Sequence, residues 1–254
     1  MDLPLLENDL DSIAVIEPSL VIEGTDIPNC AVLCFFNEVI ESLIASAETR
    51  VIEELHSAMG VHPIYEIERD GRRLAVLHPG VGAPLAAGFL EEIIALGCKT
   101  IVAVGGAGAL VPELVLGHAV IVDSAIRDEG TSFHYLAPSR IVSADQRGIS
   151  VLKETLDKAG INSFVGRSWT TDAFYRETRE RVARRVAEGC ITVEMEAAAF
   201  MAVAKYRKVS FAQLLYAGDS LAGQNWEERG WTKLSDRREQ LFWLAADACL
   251  ILAD

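Results

Sequence analysis

The sequence predicts an α/β fold, with a largely parallel or mixed sheet covered on both faces by helices. Three observations carry this. Short apolar runs such as Cys30–Phe36 and Thr100–Val104 recur, too short for helices and long enough for buried strands. Longer segments of helical period stand between them, several stopped by a glycine. Strand and helix then alternate along most of the chain, the rhythm of a sheet with crossover helices.

In chain order, Cys30–Phe36 (CAVLCFF) is a strand, and Asn37 caps a helix that runs to about His56. Ile64–Glu68 and Arg73–His78 alternate around Asp70-Gly71, a hairpin signal. Leu85–Leu96 is a helix stopped by Gly97, and Thr100–Val104 is a strand that enters the turn Gly105-Gly106-Ala107-Gly108. Ala119–Asp123 is a strand, Gln146–Ala159 a helix closed by Gly160, and Phe174–Glu188 an arginine-rich helix closed by Gly189. Cys190–Val193 is a strand leading into the helix Glu196–Arg207, Val209–Ala217 a strand, and Asp236–Leu252 a final amphipathic helix. The polar stretch Gly223–Ser235, with Trp226 and Trp231, is the longest irregular segment and a candidate lid or subunit contact. No linker, repeat or low-complexity run divides the chain, so one domain is expected over 1–254, its core at about 30–222.

Composition narrows the partners. The 254 residues hold 23 Lys plus Arg against 37 Asp plus Glu, a net charge of −14, and half are apolar. That excludes a mainly disordered chain. It also argues against a nucleic-acid partner, whose phosphates are bound largely by Lys and Arg. The acidic start MDLPLLENDLDS has no leader pattern, and no apolar run approaches the ~20 residues that span a bilayer. The five cysteines sit singly in apolar segments, which reads as reduced, packed thiols in a cytoplasmic protein with no disulfide framework or metal site.

Ligands of open α/β sheets bind beyond the strand ends, so the residues there are the ones that carry chemistry. Gly106, Ala107 and Gly108 let backbone N–H groups approach a ligand or anion, or simply make a tight turn. The segment lacks the spacing of a dinucleotide fingerprint and contains no G-K-[ST] phosphate loop. In Val193-Glu194-Met195-Glu196, two carboxylates one residue apart point to one side of extended chain and suit a vicinal diol, with Met195 against the sugar. The competing reading is that Glu196 complements the positive end of the following helix. Asp219, after an apolar strand, is a candidate partly desolvated proton donor or a plain turn residue. The loop Trp169–Tyr175, dense in aromatic and hydroxyl groups, supplies rings for stacking on a planar base, or for ordinary packing.

Together and in this order, the segments resemble the nucleoside phosphorylase superfamily, which includes purine nucleoside phosphorylases, uridine phosphorylases and methylthioadenosine/adenosylhomocysteine nucleosidases. The resemblance runs from about Cys30 to Ala222. It is carried by His78–Pro84, Gly105–Gly108, Arg127–Tyr135, Thr171–Tyr175, Val193–Ala199 and Gly218-Asp219, with VEMEA the most specific. It implies a partly barrel-like sheet, cleavage of a nucleoside N-glycosidic bond, no cofactor beyond phosphate as a co-substrate, and a homo-oligomer, dimer or hexamer. By the same resemblance Glu196 holds the ribose hydroxyls with Glu194 and Met195 beside it, Phe174 packs on the base, and Asp219 bonds or protonates a purine. Thr171, Gly106, Ala107, Gly108 and Arg127 complete the expected substrate-binding set.

Departures from the pattern are concentrated at phosphate. The glycine–aspartate–proline loop and arginine usual after the first strand are replaced by Phe35–Ile40. Ala103 stands where an arginine is usual, and Gly106 where a serine or threonine is. Hydrolytic relatives lack the same groups and use a glutamate after the first strand to position water, a place within one residue of Glu38. Arg127, Arg176 and Arg179 are the alternative phosphate ligands. Two readings follow: an enzyme with an atypical or absent phosphate site, using phosphate or water, and a catalytically silent nucleoside-binding protein. An unrelated α/β enzyme such as a methyltransferase lacks its glycine signature here.

Overall fold

The computed structural model describes residues 3–7, 9–10 and 13–254. The N-terminal stretch read for a leader lies partly outside them. Ten strands form one sheet: β1 (Cys30–Cys34), β2 (Arg50–Ser57), β3 (Gly60–Arg69), β4 (Arg72–Leu77), β5 (Thr100–Ala109), β6 (Ala119–Asp128), β7 (Ile141–Ser143), β8 (Ser163–Thr171), β9 (Cys190–Glu194) and β10 (Ser210–Ser220). The pairings β5–β10, β10–β6, β6–β8, β8–β9 and β9–β5 close a five-strand ring, and β1, β4, β3 and β2 extend the sheet from β5. The mixed α/β architecture and partly barrel-like sheet are as expected.

The helices are α1 (Pro18–Val21), α2 (Asn37–Ile44), α3 (Ala83–Leu96), α4 (Gln146–Lys158), α5 (Arg179–Ala187), α6 (Ala197–Arg207) and α7 (Ser235–Leu252). Apolar residues of α3 and α6 bury one face of the sheet, including Phe89, Leu90 and Phe200. Those of α2, α4 and α7 bury the other, with Ile40, Leu152 and Phe242. At β3–β4 both Asp70 and Gly71 take positive φ, 51° and 72°, the backbone that a two-residue hairpin turn with the native twist requires.

Four sequence expectations need correction. The helix expected from Asn37 to His56 stops at Ile44, and Arg50–Ser57 is a strand paired antiparallel with β3. The arginine-rich helix starts only at Arg179, because the Thr178 hydroxyl caps it by accepting from the Arg181 N–H. Ahead of it, Phe174–Arg176 form a separate 3-10 turn. Trp169–Thr171, read as loop, belong to β8. Finally, Gly105–Gly108 is no turn: β5 runs on through the glycines to Ala109.

That last feature builds the site. β1 pairs with β5 up to Val104, and β9 takes over the same edge at Gly108. Between them the β5 edge has no strand partner, so the sheet opens where its strand order switches, the usual place for a ligand. Glycine is required next to the opening. A Cβ on Gly105 would lie 2.8 Å from the Phe35 ring, and one on Gly108 would lie 2.8 Å from Leu221 and 3.0 Å from Val193.

Candidate active site

A cavity of about 430 Å³ occupies this opening. Its walls include Gly105–Gly108 of β5, Val193 and Glu194 of β9, Met195 and Glu196 at the start of α6, and Gly218 and Asp219 of β10. Phe174, Glu177, Gln213, Trp231 and Arg238 complete it with Phe35, Phe36, Val81, Leu215 and Leu221.

Glu194 and Glu196 divide their work. Glu194 Oε1 accepts the hydroxyls of Thr170 at 2.7 Å and Ser168 at 3.2 Å. Its Oε2 accepts the N–H groups of Glu196 at 2.7 Å and Ala197 at 2.6 Å. Glu194 is therefore the residue that satisfies the first N–H groups of α6, the task considered for Glu196 from sequence. Glu196 is left facing the cavity, where its Oε1 accepts the Gly82 N–H at 2.6 Å. Gly82 has φ 92°, open to glycine and strained for other residues, and it brings the loop after β4 over the site. Burial raises both carboxyls above their usual range, and the charge on Glu194 raises Glu196 further.

At the other end stands Asp219. The expected strand stop at Ala217 gives way to a continuation through Ser220, with a register shift against β5 between Ala217 and Ser220. This bulge re-aims Asp219 into the cavity. The Trp226 indole N–H donates to its Oδ2 at 2.7 Å. Trp231, from the same irregular segment, lies against Gly218, so Gly223–Ser235 folds over the site rather than away from it. Glu177 shares this end. Burial first, and then the charge of Asp219, push its carboxyl up to about 7. Phe174 lies beside them, 50% exposed, with its ring centroid 4.1 Å from that of Tyr175.

Beside Phe36 and Trp231 is Arg238 of α7, the one cation among the lining residues. Its guanidinium lies 4.5 Å from the Phe36 ring and 5.6 Å from the Trp231 ring. Its Nε meets Glu38 Oε1 at 2.9 Å. Gln213, only 2% exposed, adds an Oε1 without a hydrogen-bond partner among the described residues. Such a buried acceptor on a cavity wall is available to a bound molecule.

A family profile described as the phosphorylase superfamily matches residues 29–245. The chain belongs to the phosphorylase superfamily. Curated relatives include a uridine phosphorylase of Thermococcus kodakarensis, 33% identical over 105 residues, which are 41% of this chain and 38% of the relative. A guanosine phosphorylase of Halorubrum lacusprofundi is 25% identical over 209 residues, 82% of this chain and 86% of that one. In three dimensions the fold matches a uridine phosphorylase from Vibrio fischeri ES114 with a TM-score of 0.75 at 18% identity, over 92% of this chain and 97% of that one.

In this superfamily member, eight residues singled out from sequence share the cavity: Gly106, Ala107, Gly108, Phe174, Glu194, Met195, Glu196 and Asp219. Three do not line it. Arg127 is buried in its own loop, donating from Nε to Ser132 Oγ, from Nη1 to Ala137 O and Ser139 Oγ, and from Nη2 to Leu136 O. With every nitrogen engaged, it fastens the segment after β6 and is not presented to substrate. Thr171 is buried, and its hydroxyl accepts the Ala173 N–H. Glu38 is held on Arg238 and reaches the site through it. Arg179 spends its guanidinium on the carbonyls of Leu221 and Gly223, and Arg176 lies on the surface, so neither lines the cavity. Glu177, Gln213 and Arg238 escaped the sequence reading, and Trp231 was singled out there only as part of the irregular Gly223–Ser235 segment. Only Glu177 left a local signal, at the break in the supposed helix; the others arrive through long-range packing. No helix among the described residues is long and apolar enough to cross a membrane, and no group of three metal-ligating side chains gathers there.

Proposed function

We propose that this phosphorylase-superfamily member cleaves the N-glycosidic bond of a nucleoside, with a purine base favoured. The observation that carries the reading is the convergence of Glu196, Phe174 and Asp219 on one cavity from three separate segments. A ribose 2′,3′-diol donates to Glu196 with Met195 against the sugar, the base lies on Phe174, and Asp219 bonds its far edge. Bond breaking places positive charge on the sugar and negative charge on the base. Glu196 at the first, once its proton is lost, and a hydrogen-bonding acid at the second stabilise both.

At the acceptor end, Ala103 is buried and apolar, and Gly106 offers no hydroxyl. Arg238 is neutralised by Glu38, while Glu194, Glu196, Asp219 and Glu177 line the same cavity. A phosphate dianion needs more cationic neutralisation than one paired guanidinium supplies. This balance supports water as the acceptor, with Glu38 positioning Arg238. No cofactor is required. The five buried free cysteines suit a cytoplasmic setting. Exposed Tyr175 and Trp226 at the cavity mouth suit a homo-oligomer, whose size light scattering would measure.

The test is base release from a nucleoside panel with and without inorganic phosphate. Free sugar formed at a phosphate-independent rate is the expected result; sugar 1-phosphate as the product would overturn the water reading. Tight nucleoside binding with no turnover under either condition would establish a silent binding protein instead.

A further inference from the structure

The loop from β4 to α3, His78-Pro79-Gly80-Val81-Gly82, meets the cavity at two places. Val81 lines the wall, and the Gly82 N–H donates to Glu196 Oε1 at 2.6 Å. The backbone there has little conformational preference of its own. Gly80 takes φ 78° and Gly82 φ 92°, and a Cβ on Gly80 would lie 2.3 Å from the Leu85 side chain. The shape of the loop therefore depends on what ties it down.

His78 supplies that tie. Pro79 confines the backbone of the residue before it to extended conformations, which fixes where the imidazole starts. The ring packs edge-on against Phe35, a wall residue of the cavity, with centroids 5.7 Å apart. Its Nδ1 accepts the Gly80 N–H at 3.0 Å. His78 itself does not line the cavity. A ring nitrogen that accepts carries no proton, so this bond belongs to the neutral imidazole with its hydrogen on Nε2. Protonation would set one donor against another. Among the described residues, the titratable group acting on the ring is His62 of β3, which is itself bonded to Ser57 Oγ at 2.9 Å. On the other side Phe35 is uncharged, and the carboxyl that reaches the loop, Glu196, engages Gly82. Burial, and then His62, hold the His78 imidazole below its ordinary 6.5, so the acceptor is in place at neutral pH.

We propose that His78 is a positioning residue for the sugar: by holding Gly80 it fixes Val81 and Gly82 over the site, and through the Gly82 N–H it sets the Glu196 carboxyl toward the ribose diol. The inference rests on the reading of Glu196 as the ribose-binding group and adds a residue outside the cavity on which that grip depends. Acid loosens the grip, because a protonated His78 releases Gly80.

The experiment measures base release from adenosine, inosine and uridine across pH 5–8 by wild type and by His78→Ala, His78→Phe and His78→Asn, each beside a thermal melt. His78→Phe keeps a ring against Phe35 and has no acceptor. His78→Asn gives up the ring but keeps an oxygen that can accept an N–H two residues on. With the best substrate, Ala and Phe are expected to raise KM about tenfold with kcat within about threefold, and Asn to recover most of that loss. Wild-type kcat/KM should show an additional fall of about tenfold on the acid side of 6.5, which is absent in Asn. In a Glu196→Ala background, His78→Ala should add less than about twofold, because its effect passes through that carboxyl. Should Ala fail to fold, Phe and Asn still separate the acceptor from the packing. Wild-type KM in Ala and Phe, an Asn variant as impaired as Phe, or a tenfold loss that persists without Glu196 would overturn the inference and leave the cleavage reading standing. Nucleoside binding without turnover would overturn the cleavage reading alone, and the same series read as Kd by calorimetry would then decide the role of His78. A wild type that neither binds nor cleaves any of the three nucleosides would overturn both.

Discussion

Two pairs of carboxyl groups line the cavity, and they are built differently. In Glu194/Glu196 one member is saturated by two hydroxyls and two backbone N–H groups, while the other keeps an oxygen for ligand beyond its single bond to Gly82. In Glu177/Asp219 neither member is saturated, and among the described residues the one protein donor between them is the Trp226 indole. The first pair belongs to the fold as much as to the site, because its bonds join β8, β9 and α6. The second belongs to loops and a bulge. The bonds of Glu194 hold the backbone before α6, and with it Glu196, in a fixed place, whereas Glu177 and Asp219 sit on segments with fewer such ties.

Substitution at the cavity-facing member of the first pair should show the largest effect. Glu196→Ala is expected to lower kcat/KM for base release about 10³-fold or more while the protein stays folded, read by steady-state kinetics beside a thermal melt. An activity within tenfold of wild type would remove Glu196 from the site. Its neighbour should behave in the opposite sense. Glu194→Ala leaves Thr170, Ser168 and two N–H groups without their acceptor, and is expected to cost about 2–4 kcal/mol of stability in urea denaturation. A melt unchanged from wild type would show that the first pair is not structural.

Acid–base behaviour sharpens the comparison. The folded-state pKa of Glu196 is raised above its ordinary 4.5, so the folded protein keeps a proton that the unfolded chain releases. Stability from this group is therefore present below about 4.5 and is lost as pH rises through the folded value. Thermal melts across pH 5–9 should fall with rising pH, and Glu196→Gln should reduce that slope; equal slopes would refute the assignment. The smallest effect is expected at the base end, from Trp226→Phe, which removes the N–H on Asp219 and keeps the ring. A loss of about five-fold in kcat/KM, the worth of about 1 kcal/mol, with an unchanged melting temperature is anticipated. A loss of stability instead would make Gly223–Ser235 a structural strap.

Some of this was legible in the chain alone because it rests on local rules. Asp70-Gly71 adopts the two positive φ values its residue types allow, and the apolar runs of β1 and β5 became buried strands as their length and composition dictate. Val193–Glu196 and Asp219 were recognisable because the chemistry of a diol and a base edge calls for carboxyl groups at strand ends. The helix expected through His56 failed because Arg50–Ser57 finds its hydrogen-bond partners on β3, a choice made by pairing and not by helical period. The glycine turn failed for a related reason. Gly105–Gly108 continue β5 because β10 holds one edge throughout, while β1 and β9 share the other.

The sequence by itself determined the buried apolar strands such as β1, the hairpin and the acidic residues available for chemistry, since propensity, turn geometry and ionisation are properties of short segments. Tertiary structure alone decided which of those acids meet. It saturated Glu194 and left Glu196 open, bulged β10 to aim Asp219, brought Glu177 beside it, and paired Arg238 of the last helix with Glu38 of the second. Burial and charge proximity arise only when distant segments close on one cavity, and they set which carboxyl groups hold a proton.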